Sequence, residues 1–246
     1  MLSKRIEEVS LNAWPALQYL LFDGWILRFS KGYTKRANSI NPLFDSHLDT
    51  AEKVAICERL YAEKELPPIS RLTPFASPPD LDQVLARHHY RCIDLTHVQY
   101  LNLKNLTIVG ESSMELRDAT LDSWLDIFCC LSAVPVAQHQ THKEILQTIP
   151  SGRLLAVLAD SGTIVACGLG VLENDYFGLF DLVTDSQQRN KGYGAQLVSG
   201  MLRWAQEHGA AHAYLQVMNS NFPARHLYAK LGFQEVYQYW YRLPDA

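Results

Sequence analysis

The sequence predicts an α/β (α+β) fold in two tandem units, on three observations. Stretches of alternating apolar and polar residues are interleaved with stretches whose apolar residues recur every three or four positions, the periods of strand and helix. Turn signals at Lys31-Gly32 and Asp160-Ser161-Gly162 join neighbouring strands, and Asp23-Gly24 reads as a further turn. The order strand, helix, strand, helix, strand occurs over residues 33–103 and again in the second half. A length of 246 residues suits one large domain or two of roughly 120 residues, and the repeated order favours two.

Taken in order, Asn12–Leu21 reads as a short helix and Trp25–Phe29 as a strand with Trp25, Leu27 and Phe29 on one face. Tyr33–Ile40 reads as its return strand after the Lys31-Gly32 turn. Asp49–Lys64 reads as a helix, because Asp49 is an N-cap type with Glu52 three residues on, and Val54, Cys57, Leu60 and Tyr61 fall at helical spacing. Pro67-Pro68 ends it; Ile69–Leu72 is a strand, Asp80–His88 a helix and Arg91–Leu103 a strand. Lys104–Ser113 carries little apolar periodicity, so the boundary is set there, dividing residues 1–108 from 109–246. Glu115–Leu131 and His142–Thr148 read as helices, and Arg153–Ala159 with Thr163–Leu172 as a hairpin. Tyr176–Val183 is a third strand. Gly194–His208 is a helix with Leu197, Val198, Met201, Leu202 and Ala205 on one face and Gly209 as its C-cap. Ala213–Val217, Pro223–Leu231 and Gln234–Leu243 complete the chain as strand, helix and strand.

Composition narrows the function. Hydrophobic residues make up 48% and charged residues 20%, which is globular usage and excludes a disordered chain. The net charge of −4 offers no basic field for nucleic acid. It is unevenly spread: residues 1–110 hold 13 Lys+Arg against 12 Asp+Glu, and residues 111–246 hold 9 against 14. Met1–Glu8 has no apolar signal core. The longest apolar run, Ile164–Leu172, falls well below the roughly 20 residues of a membrane span. A cytoplasmic protein with no membrane partner is expected. The five cysteines are odd in number and contain no Cys-x-x-Cys, so buried free thiols are expected. Of nine histidines only His139 and His142 lie close together, with no acidic or Cys neighbour to complete a ligand set, so no metal is expected.

The chemistry lies in Phe180–Ala195. An apolar strand feeds a polar loop ending in Arg189, Asn190, Lys191, Gly192, Tyr193 and Gly194, and a long amphipathic helix begins at once. Consecutive backbone N–H groups at a helix start, with about half a positive charge from the helix dipole, make an anion cradle. Gly192 and Gly194 let a bulky anion approach, and Arg189 and Lys191 add charge. A phosphate or pyrophosphate is the matching ligand, although the same glycines would also serve a plain tight turn. The ATP-binding pattern Gly-x-x-x-x-Gly-Lys-Ser/Thr is absent. The dinucleotide fingerprint fails too, because position 197 is Leu and the next strand ends Val217-Met218-Asn219 without an acidic residue.

A second segment, Leu215–Phe233, follows about 20 residues later. Together the two segments resemble motifs A and B of the GNAT superfamily of acyl-CoA-dependent N-acetyltransferases. The first, Gln/Arg-x-x-Gly-x-Gly/Ala, is matched by Arg189, Gly192 and Gly194. The second, Asn-x-x-Ala-x-x-Leu-Tyr-x-Lys-x-Gly-Phe, is matched by Asn221, Ala224, Leu227, Tyr228, Lys230, Gly232 and Phe233. The resemblance covers roughly residues 112–246 and implies a mixed, mostly antiparallel sheet flanked by helices. It implies that the pyrophosphate of acetyl-CoA lies on Arg189–Ala195, including Ala195 itself. The pantetheine arm would run between splayed strands, hydrogen-bonded to Leu182, Val183 and Thr184, with Asn221 touching it. Tyr228 would direct its hydroxyl at the thioester sulfur.

The implied reaction is direct attack by a primary amine on acetyl-CoA. A Tyr hydroxyl of pKa about 10 suits the departing thiolate as general acid. Asp181 is the expected base, with Glu173 and Asp175 as alternatives and His212 and His226 behind them. The implied acceptor is a small-molecule or peptide amine, with a homodimer as an open state of assembly. The alternative is a non-catalytic acyl-CoA-binding sensor or interaction module on the same fold. In the first half, Leu85–Tyr90 echoes Tyr228–Phe233, with Leu85 in the place of Tyr228, and no glycine loop lies between Ser39 and Glu52. Residues 1–108 are therefore expected to be a degenerate unit without the cofactor, and 109–246 the catalytic one.

Overall fold

The computed structural model describes residues 2–104, 106 and 115–245, save the side chains of Glu115 and Gln138. The predicted boundary between residues 108 and 109 lies outside them. The described chain runs α1 (Leu2–Ala13), β1 (Gln18–Phe22), β2 (Trp25–Phe29), β3 (Ile40–Pro42), α2 (Thr50–Ala62), β4 (Ser70–Leu72), α3 (Leu81–Arg87) and β5 (Tyr90–Asn102). It continues through β6 (Glu115–Asp118), α4 (Leu121–Ser132), α5 (Gln140–Gln147), β7 (Gly152–Asp160), β8 (Thr163–Glu173) and β9 (Tyr176–Thr184). It ends with α6 (Tyr193–Glu207), β10 (His212–Met218), α7 (Phe222–Lys230) and β11 (Gln234–Pro244). No described helix is long and apolar enough to cross a membrane.

Two compact units result. The major unit holds Met1–Ala13, Val98–Val217 and Asn221–Val236; the minor unit holds Trp14–His97, Met218–Ser220 and Tyr237–Ala246. Strands β5 and β11 therefore each contribute residues to both.

In the minor unit the strand order is β1-β2-β3-β4-β11-β5. β1 and β2 are antiparallel, closed by Asp23-Gly24, whose two residues both have left-handed φ, as a tight hairpin turn needs. β3 and β4 are parallel, bridged by α2. The Asp49 side chain accepts from the N–H groups of Ala51 and Glu52, the cap its sequence predicts. Trp25, Leu27, Phe29, Cys57, Tyr61 and Leu85 lie in its core. Two expectations fail here. The helix predicted over Asn12–Leu21 is instead the end of α1, stopped ahead of Pro15, and then β1. The return strand predicted over Tyr33–Ile40 is largely a 3-10 turn at Lys35–Ala37, capped by Thr34, and only Ile40–Pro42 pairs with β2.

In the major unit the order is β5-β10-β9-β8-β7-β6. Strands β6 to β9 are antiparallel neighbours, and β9 and β10 are parallel, joined through α6. The predicted face of α6 is buried: Leu197, Val198, Met201, Leu202 and Ala205 pack with Phe177, Leu179, Leu215 and Phe233. The helix predicted to start at Glu115 starts at Leu121. Thr120 caps it, and Glu115–Asp118 pair with Ala156–Ala159 as strand β6.

The two units share local topology. α2–β4–α3–β5 and α6–β10–α7–β11 are the same succession, and each contains a parallel strand pair across its first helix. The aligned residues His89 and Gly232 both take left-handed φ, 61° and 89°, just past their helices, where the chain turns back into a strand. The cysteines are all free, but the expectation that all are buried fails for Cys92 and Cys130, which are exposed. Cys129 and Cys130 are consecutive on α4, so one facing the core turns the other outward.

Candidate active site

The site forms where β9 and β10 part. Their parallel register runs from His212↔Tyr176 to Leu215↔Leu179. Beyond it β9 continues to Thr184 and β10 to Met218. At the fork β9 also bulges: Cys167 faces Val183 and Leu169 faces Phe180, so Asp181 and Leu182 together oppose Gly168. Asp181 has φ 48°, a left-handed conformation for a non-glycine residue. The edge of β9 toward β10 at Leu182, Val183 and Thr184 thus lies past the last paired residues, Leu215 and Leu179.

The loop after β9 leads directly into the uncapped start of α6. The Asp185 side chain accepts from Gln187 N–H and starts a 3-10 turn over Ser186–Gln188. Arg189 is then extended and exposed, Asn190 has φ 63°, and Gly192 has φ 85° at the N-cap of α6. No side chain caps α6. The N–H groups of Tyr193, Gly194 and Ala195 are therefore the unspent donors of a 15-residue helix at its positive end. Lys191 Nζ donates to Gln188 Oε1 at 2.8 Å, within the same loop. Tyr193 is fixed by a 2.6 Å hydrogen bond from its hydroxyl to Asp160 Oδ2, and that acceptor pushes the phenol pKa up. Uncapped donors, a left-handed glycine and two flanking cations fit a diphosphate.

Tyr228 lies on α7, buried, with its ring 6.0 Å from that of Phe233. Burial pushes its hydroxyl up to about 12. Asn221 stands at the N-cap of α7, where its side-chain oxygen accepts from Ala224 N–H at 3.3 Å. His226 is exposed on the same helix.

The candidate bases separate along β9. Glu173 is bound by Arg5 at 3.5 Å and Asn12 at 3.1 Å, and Asp175 lies 3.4 Å from His212 Nε2. His212 Nδ1 is in turn 2.7 Å from the Tyr100 hydroxyl. These groups stand at the start of β9, about 20 Å along the strand from Asp181 at roughly 3.3 Å per residue. Asp181 is the carboxylate at the fork. Its Oδ2 lies 2.9 Å from Nε2 of His142, a wholly buried side chain. The sequence reading left His142 without an acidic neighbour; the fold supplies one 39 residues away. No local signal announces it, because the two residues stand on separate elements, α5 and β9. Among the described residues no group of three or more His, Cys, Asp or Glu is arranged to hold a metal ion.

A sheet forked beside an uncapped helix start, in this strand order, is the architecture of a GNAT-type acyltransferase. The chain belongs to the GNAT superfamily of N-acetyltransferases, in the family described as probable histone acetyltransferase Rv0428c C-terminal, whose model matches residues 3–242. It is 28% identical over 244 residues to the uncharacterized N-acetyltransferase YobR of Bacillus subtilis, spanning 98% of each chain. It is 26% identical over 225 residues to the probable histone acetyltransferase Rv0428c of Mycobacterium tuberculosis, spanning 87% of this chain and 65% of that one. A GCN5-related N-acetyltransferase from Kribbella flavida superposes with a TM-score of 0.73 at 15% identity, covering 98% of this chain and 95% of that structure. At that identity the likeness concerns the fold.

Proposed function

We propose that this protein transfers the acetyl group of acetyl-CoA to a primary amine, on a small molecule or a peptide. The observation that carries the reading is the uncapped start of α6 behind Gly192, directly beyond the fork of β9 and β10. The N–H groups of Tyr193, Gly194 and Ala195, with Arg189, Asn190 and Lys191, would hold the pyrophosphate. The edge of β9 at Leu182, Val183 and Thr184 would hold the pantetheine amides in the manner of an added strand. Asn221 would touch the arm through what its cap leaves over. Bound acetyl-CoA supplies an activated acyl thioester.

The chain's own residues then have two proton tasks. Asp181 accepts the proton that the acceptor nitrogen must lose to become, or remain, a nucleophile. Tyr228 gives its hydroxyl proton to the departing sulfur, and its raised pKa keeps that proton in place until then. Residues 109–246 supply these groups. Residues 1–108 lack the cofactor machinery: Leu85 is fully buried where the echo aligns it with Tyr228, and no glycine loop precedes α2.

Isothermal titration with acetyl-CoA tests the binding, and absence of binding at millimolar ligand overturns it. Tyr228→Phe is expected to keep acetyl-CoA affinity and lose about 10²–10⁴-fold in turnover, read as free thiol over a panel of amines. An unchanged rate removes Tyr228 from the mechanism. Tight binding with no thiol release from any amine supports the sensor alternative instead.

A further inference from the structure

Asp181 has a partner that its role as a base does not by itself require. Its side chain is 21% exposed, while His142, 2.9 Å away through Nε2, is 0% exposed. A carboxylate only accepts, so Nε2 carries the proton whether the imidazole is neutral or charged. The imidazole is walled by rings. Phe128 and Trp124 meet it edge-on at 5.2 and 6.0 Å between centroids, and His139 lies at 5.5 Å. Trp124 is itself anchored, donating Nε1–H to the carbonyls of Ala156 at 3.2 Å and Gly168 at 3.1 Å. Gly168 is the residue opposite the bulge that carries Asp181. One packed network thus runs from the bulge through Trp124 to His142 and back to the carboxylate. The titratable groups facing the pair are His139 from the 3-10 turn before α5 and Cys167 from β8, with Cys129 of α4 beside Cys167. Burial pushes both thiols up and the His139 imidazole down, which favours their neutral forms.

We infer that His142 is a positioning residue: its Nε2–H holds Asp181 Oδ2, fixing the carboxylate so that Oδ1 receives the acceptor's proton. The inference rests on the reading of Asp181 as the base. The N–H bond of the acceptor breaks, an O–H bond forms at Oδ1, and the proton leaves to solvent before the next turnover. A buried, ring-walled donor suits this task because it cannot rotate away, whereas an exposed one would exchange with water.

The test reads thiol release from acetyl-CoA over the amine panel as separate kcat and KM values. His142→Phe is expected to lower kcat on the order of tenfold with the KM for acetyl-CoA unchanged, and His142→Gln, which restores an N–H, to recover it. An equal kcat in wild type and His142→Phe overturns the inference. Should His142→Phe not fold, the ¹H signal of the His142 Nε2–H serves: it should move when Asp181→Asn replaces its charged acceptor, and an unmoved signal overturns the inference. Thiol release from acetyl-CoA over the amine panel separates the two readings. If Asp181→Asn keeps the wild-type rate, the base assignment fails. If Asp181→Asn loses it while His142→Phe and wild type share kcat and KM, only the role of His142 fails.

Discussion

Under the proposed function, the general acid Tyr228 and the base Asp181 sit in two different environments. Tyr228 is buried on α7 and its hydroxyl is pushed up to about 12 by that burial. A general acid works while protonated, so raising its pKa widens the working range on the alkaline side. Turnover is therefore expected to show no loss from this group up to about pH 10, where an ordinary tyrosine is half ionised. A pH–rate profile falling with a midpoint near 10, and losing that limb in Tyr228→Phe, would contradict it. Tyr228 itself was legible in the sequence, because the motif around it is local. The His142–Asp181 pair was not, because 39 residues separate partners that meet only in the folded sheet.

At the scale of elements, turns decide where strands begin. Gly24 has φ 83°, and a Cβ there would lie 2.3 Å from the carbonyl oxygen of Asp45 and 2.8 Å from that of Phe44. Both are backbone atoms, so a rotamer change cannot relieve the clash. Gly24→Ala is expected to destabilise the protein by roughly 1–3 kcal/mol, from backbone strain and overpacking together; denaturant unfolding measures it. Asp23-Gly24 was readable as a turn, yet the strand before it was not, because Leu20 and Leu21 continue an apolar run that also fits a helix. Ile6, Val9 and Ala13 are buried at helical spacing, a signal present in Leu2–Ala13 but masked by its many polar residues. At β6, Leu116 and Ala119 fell at helical spacing by chance, and pairing with β7 overrode it.

At the scale of the whole molecule, the compact units do not follow the linear halves. α1 and Val98–Asn102 belong with the loop after β9 in the major unit, while Tyr237–Pro244 of β11 belongs with the minor unit. A fragment of residues 109–246 alone lacks α1 and its share of β5 and carries a strand end without its own unit. It is expected to lose the cooperative unfolding transition and the near-UV circular dichroism of the full chain. A fragment that unfolds cooperatively would show those shared segments to be dispensable. Under the proposed function, the acidic excess of residues 111–246, 14 Asp+Glu against 9 Lys+Arg, would favour a cationic acceptor.

By itself the sequence determined the α/β class, the cap of α2, the buried face of α6, the glycine loop and the Asn221–Phe233 motif. All of these rest on interactions within a few residues, where spacing is geometry. Tertiary structure alone decided the fork of β9 and β10, the bulge that turns Asp181, the buried imidazole that meets it, and the exchange of α1 and β11 between units. Each depends on pairing or packing between segments far apart in the chain. Such partners are chosen by the shape left for them once the sheet has formed, and that shape leaves no periodic trace in either segment.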